Sequence, residues 1–120
     1  MVLRMDLSEL KKKVIAFRDE RDWKKFHNPK DLALSINIES GELAEIFQWK
    51  TDEEISQALK NPEKLQQLKH ELADIAMYCL DLADITNIDL EKAIIEKLEH
   101  NAKKYPVHKA RGSNKKYTEF

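Results

Sequence analysis

The chain holds 120 residues, 42% apolar and 36% charged, with a formal net charge of −1; that is enough sequence for one domain with one core. Two Gly, three Pro and three Val, set among segments rich in Leu, Glu, Lys and Ala, exclude a turn-rich all-β fold and give a helical composition. A single cysteine, Cys79, excludes an internal disulfide and a Cys-rich zinc site, and no run approaches the ~18 apolar residues of a membrane span. The start, Met1 to Asp6, is too short and mixed for a signal peptide, so a cytoplasmic location is the expectation.

In chain order, a first helix is expected from the Asp6 cap, with Glu9 at capping-box spacing, to about Trp23. Leu7, Leu10, Val14 and Phe17 give it one apolar stripe. Asn28-Pro29 supplies a cap and a first-turn proline for a second helix running to about Trp49. Thr51-Asp-Glu-Glu54 opens a short helix, and Asn61-Pro62 opens a long one to about Ala83. Asp89 caps a last helix, Leu90 to Lys104, which Tyr105-Pro106 ends. The fold class is therefore all-α: an antiparallel four-helix-type bundle with a short extra helix, because short loops favour antiparallel neighbours. Residues 1–106 read as that domain, and 107–120 as a basic C-terminal tail with weak structure signals. Residues 103–116 hold six Lys/Arg and no acid, which leaves the rest of the chain acidic. Such a tail can meet phosphates, nucleic acid or its own body.

The anomaly is acid inside apolar helices. Helix two, apolar around most of its circumference, carries Glu39 and Glu42 at i, i+3, hence on one face. Gly41 lies between them and suggests a close backbone approach. The long helix repeats the pattern with Glu71 and Asp74, and Tyr78 follows one turn later on that side. Four such carboxylates would repel one another and resist desolvation unless they face water or a cation neutralises them. Oxygen-only ligands favour Mg²⁺, with Mn²⁺ possible, over zinc. The alternative is four surface acids paired with lysines. A di-iron site needs Glu-x-x-His, and none of His27, His70, His100 and His108 has a Glu three residues before it. His70-Glu71 lacks the second His of a zinc-protease motif, so His70 reads as a bystander. Lys97, Asn101 and Lys104 share one face of the last helix and suit phosphate oxygens. Trp23 and Trp49 flank helix two, and an indole can stack on a base.

Together these segments resemble the MazG-like all-α nucleotide pyrophosphohydrolases, and within them the dCTP pyrophosphatase branch. The likeness runs from about residue 15 to the end. It is carried by Glu39-x-x-Glu42 with Glu71-x-x-Asp74, and by the blocks Glu20–Pro29, Gly41–Trp49, Asn101–His108, Arg111-Gly-Ser and Lys116-Tyr-Thr-Glu. The resemblance implies hydrolysis of a nucleoside triphosphate, dCTP or a related dNTP, to monophosphate and pyrophosphate. It implies Mg²⁺ on Glu39, Glu42, Glu71 and Asp74, and a base pocket with Trp23 and Trp49. It also implies sugar and phosphate contacts at Tyr78, Lys97 and Asn101, and a homodimer or homotetramer. Val14 stands where some dCTP-specific members carry a base-pocket His, and Ile38 where some MazG-like proteins carry a further acid. For the proton of the attacking water, Glu42 and Glu45 are the candidate bases. The rival readings are a helical nucleotide-binding or protein-interaction module without activity, and, less expected, a basic-tailed nucleic-acid binder.

Overall fold

Side-chain caps open five of the helices at the residues the sequence marks. Asp6, Asn28, Thr51 and Asp89 each accept a hydrogen bond from the backbone N–H three residues on, and Asn61 from Glu63. Each satisfies a donor that the first turn would otherwise leave bare. In this computed structural model, which describes residues 4–120, the helices are α1 (Leu7–Glu20), α2 (Pro29–Phe47), α3 (Asp52–Ala58), α4 (Pro62–Ile85), α5 (Leu90–Lys104) and α6 (Val107–Ala110). Short 3₁₀ turns at Lys24–Phe26 and Tyr117–Glu119 complete the list, and there is no strand among the described residues. The fold class is all-α, as expected. Residues 1–3 of the Met1–Asp6 start lie outside the described residues.

Helix α1 stops three residues short of Trp23. Asp22 takes a left-handed φ of 54°, and the Trp23 N–H turns back to the Arg18 carbonyl. A left-handed residue cannot continue an α-helix.

By contact, the chain divides into two compact units, one running to Ile88 and the other Asp89–Phe120. The division falls at the Thr86–Asp89 turn. In the first unit α4 is the central rod, packing against both α2 and α1. Leu32 and Ile46 of α2 and Leu80 and Ala83 of α4 are buried. Leu34 and Ile38 on the other side of α2 are 51% and 59% exposed, so the helix is covered on one side and bare on the other. A Cβ at Gly41 would meet nothing within 4 Å, so the close backbone approach read from the sequence does not occur among the described residues.

The second unit closes on its own aromatics. Tyr105, at the end of α5, meets Tyr117 and Phe120 edge-on, each at 5.8 Å between centroids. Lys104 Nζ sits 4.7 Å over the Tyr117 ring. The segment 107–120, which carries weak signals in sequence, thus folds back on the end of α5, the own-body alternative for the basic tail.

Candidate active site

Helix periodicity and the α2–α4 contact together build the site. The i, i+3 spacing presents Glu39 and Glu42 on one face of α2, and α4 brings Glu71 to them. One carboxylate oxygen from each lies within 4.8 Å of the other two. Glu39 and Glu71 are half-buried and Glu42 is exposed. No Lys or Arg among the described residues pairs with these three acids or with Asp74. With both groups ionised, Oε2 of Glu39 and Oε2 of Glu71 are buried and lack any hydrogen-bond partner. Unpaired charge in that position is costly. Glu39 is pushed above the usual carboxylate range, first because its neutral form can share a hydrogen bond with Glu71, then by burial. Glu42 is raised by the same kind of contact with Glu39 and by that group's charge.

Asp74 is not one of the converging three, but it lies near enough for its charge to act on Glu39. It lines a neighbouring cavity of about 250 Å³. Val14, Phe17, Trp23 and Met77 give that cavity apolar walls, and Arg18, His27, Tyr78 and Asp81 give it polar groups. Burial, then the charges of Glu39, Asp74 and Asp81, hold the Tyr78 hydroxyl in its neutral form to higher pH than usual. A second cavity of about 370 Å³ adjoins Glu42 and Glu71 on the other side, lined also by Glu45, Lys50, Lys64 and Gln67. One cavity is mostly apolar and the other mostly polar, and the acids stand where both are reached.

Of the residues singled out in sequence, the structure gathers Glu39, Glu42, Glu45, Glu71, Asp74, Tyr78 and Trp23 around these two cavities. Trp49 does not line the cavity that Trp23 lines; it ends α2 at a left-handed φ of 66° and is 91% exposed. Lys97, Asn101 and Lys104 belong to the second unit, where Lys104 is engaged by Tyr117. His70 is an exposed residue bonded to Gln66, as a bystander would be. Sequence reading missed Arg18, His27, Asp81, Lys50 and Lys64. For Asp81 a signal existed, since it is another acid within the apolar run Cys79-Leu-Asp81-Leu-Ala.

The donor set fits a hard divalent cation: three carboxylates converge, two oxygens are orphaned, and neither nitrogen nor sulfur is offered. Acids from two helices of an all-helical scaffold thus form an oxygen-only centre able to hold such a cation, with a mostly apolar cavity beside Asp74 and a mostly polar one beside Glu42 and Glu71. The profile of the MazG-like family matches residues 34–120, and the chain belongs to that family. It is 42% identical over 114 residues to dCTP pyrophosphatase 1 of Rattus norvegicus and of Homo sapiens, covering 95% of this chain and 67% of each relative. It is also similar to a pyrophosphatase from Archaeoglobus fulgidus known by crystal structure. That likeness has a TM-score of 0.76 and 38% identity, over 88% of this chain and 97% of the other.

Proposed function

We propose that this chain hydrolyses dCTP or a closely related deoxynucleoside triphosphate between its α and β phosphates, releasing the monophosphate and pyrophosphate. The chain is a nucleoside triphosphate pyrophosphohydrolase by family and by its similarity to named pyrophosphatases along nearly its whole length. The observation that carries the reading is the meeting of Glu39, Glu42 and Glu71, with two unpartnered oxygens, beside a polar cavity that Glu42 and Glu71 line.

In this reading Glu39, Glu42 and Glu71, joined by Asp74, hold Mg²⁺ or, less readily, Mn²⁺. Charge neutralisation of the phosphate oxygens and activation of water are what such a cation supplies when bound. Trp23 and the apolar walls around it take the base and exclude water there. The Tyr78 hydroxyl, kept neutral, donates a hydrogen bond to the sugar or to a phosphate oxygen. Lys50 and Lys64 place positive charge beside the leaving pyrophosphate. Trp49 offers a second stacking surface. The attacking water approaches the α phosphorus in line with the departing pyrophosphate, and its proton passes to a carboxylate oxygen of Glu42 or Glu45.

The working form is a homodimer or homotetramer in the cytoplasm. The bare apolar residues Leu34 and Ile38 of α2 and Leu72 of α4, on the two helices that carry the acids, support the oligomer. No helix among the described residues is long and apolar enough to cross a membrane. Residues 1–106 make up the catalytic domain and 107–120 its basic appendage.

A panel of nucleoside triphosphates assayed with Mg²⁺, reading pyrophosphate against orthophosphate, tests this reading. Pyrophosphate release that a chelator abolishes is expected; orthophosphate as the primary product contradicts the assigned cleavage position.

A further inference from the structure

The cavity next to Asp74 holds two polar groups without hydrogen-bond partners, Asp81 and His27, close enough for the charges of His27 and Arg18 to act on Asp81. Asp81 is 6% exposed, and its Oδ1 is buried without a hydrogen-bond partner. His27, lining the same cavity, has a buried Nδ1 in the same condition. The one buried guanidinium nearby is already committed: Arg18 Nε reaches Asp19 at 2.9 Å and its Nη1 reaches Asp84 at 2.8 Å. An orphaned buried acceptor costs free energy that a bound donor would recover. Apolar walls with a few convergent polar atoms are the anatomy of a small-molecule pocket.

We propose that Asp81 selects the base by accepting a hydrogen bond from the exocyclic amino group of a 4-aminopyrimidine through Oδ1, with His27 Nδ1 as its companion on the ring edge. This deepens the pyrophosphohydrolase reading above and rests on it. Carboxylates accept well from the cytosine 4-amino group. A 4-oxo pyrimidine would turn a carbonyl toward the same oxygen, acceptor against acceptor, and leave both unpaired. Trp23, Phe17 and Val14 recognise any flat ring, so discrimination between amino and oxo falls to the polar floor.

The test compares kcat/KM of the full chain with Mg²⁺ on dCTP, on dUTP and on the deoxynucleoside triphosphate of 4-deamino-cytosine (pyrimidin-2-one). Loss of the amino group should cost the wild type about tenfold to a hundredfold, the worth of one hydrogen bond to a charged group. Asp81→Asn, whose amide can donate to a 4-oxo group, should shrink the dCTP-to-dUTP ratio by about tenfold or more. A ratio that stays within about twofold of wild type in Asp81→Asn overturns the assignment, whatever the absolute rate. If that variant does not fold, the wild type decides alone, because equal rates on dCTP and its 4-deamino analogue overturn it too. If the wild type cleaves no deoxynucleoside triphosphate, the pyrophosphohydrolase reading has failed by itself. Calorimetry with dCMP and dUMP then judges Asp81 separately, a clear preference for dCMP supporting it and equal affinity rejecting it.

Discussion

Two groups of acids meet in the first unit, and α4 contributes to both. At one, Arg18 is buried at 2% exposure between Asp19 and Asp84, and every charge has a partner held by the chain itself. At the other, Glu39, Glu42 and Glu71 crowd together with no base at hand. The first arrangement is finished when the chain folds. The second is left without a counter-charge from the described residues, and on the proposed reading a cation completes it.

The sharpest way to break this comparison is to remove an acid from the unfinished group. Glu42→Gln and Glu71→Gln should each lower kcat/KM by at least a thousandfold, about 4 kcal/mol, with circular dichroism showing unchanged helix. A variant that keeps more than about a tenth of the rate would mean these acids do not hold the metal. The finished group should answer in stability. Arg18→Met strands Asp84 and should cost about 3 kcal/mol in urea unfolding; a loss below about 1 kcal/mol would show that solvent already screens that pair.

A smaller effect lies in pH. Glu39 is held up chiefly by Glu71, Glu42 chiefly by Glu39, and Asp81 chiefly by burial, so each binds its proton more tightly folded than unfolded. Between the unfolded value and the raised folded one, folding takes up protons, and stability falls as pH rises through that window. Asp31, held low first by Asn28, works the other way. The metal-free protein should therefore melt at a higher temperature near pH 5 than near pH 7. Added Mg²⁺ should stabilise more at pH 7, where the ligands have shed their protons. The smallest change belongs to the second unit: Tyr117→Ala should loosen the end of α5 by about 1 kcal/mol, read as faster amide exchange at 102–105, with hydrolysis of substrate as the control.

What sequence could reveal here was short-range. The caps at Asp6, Asn28, Thr51, Asn61 and Asp89 are visible because a cap and its partner lie two or three residues apart. The pairs Glu39/Glu42 and Glu71/Asp74 stand out because charge inside an apolar run is an anomaly at any distance. Arg18 looks like any lysine or arginine on an amphipathic helix, and only the approach of Asp84, sixty-six residues away, reveals it as buried. The clasp of Tyr105 by Tyr117 and Phe120 depends on the chain turning back on itself, which no local pattern announces. Helix α2 reads as apolar around most of its circumference, yet Leu34 and Ile38 on one side of it stand exposed among the described residues.

Helix α4 also acts as a ruler. Glu71, Asp74, Tyr78 and Asp81 lie on one side of a continuous 24-residue rod, and the ten helical steps from Glu71 to Asp81 span about 15 Å. A molecule must be long enough to touch both marks. On the proposed reading a nucleoside triphosphate is; free pyrophosphate reaches only the acid end, and the nucleoside monophosphate chiefly the other. Neither fragment keeps the double grip of the intact molecule, so the spacing built into one helix favours letting go once the bond is cut.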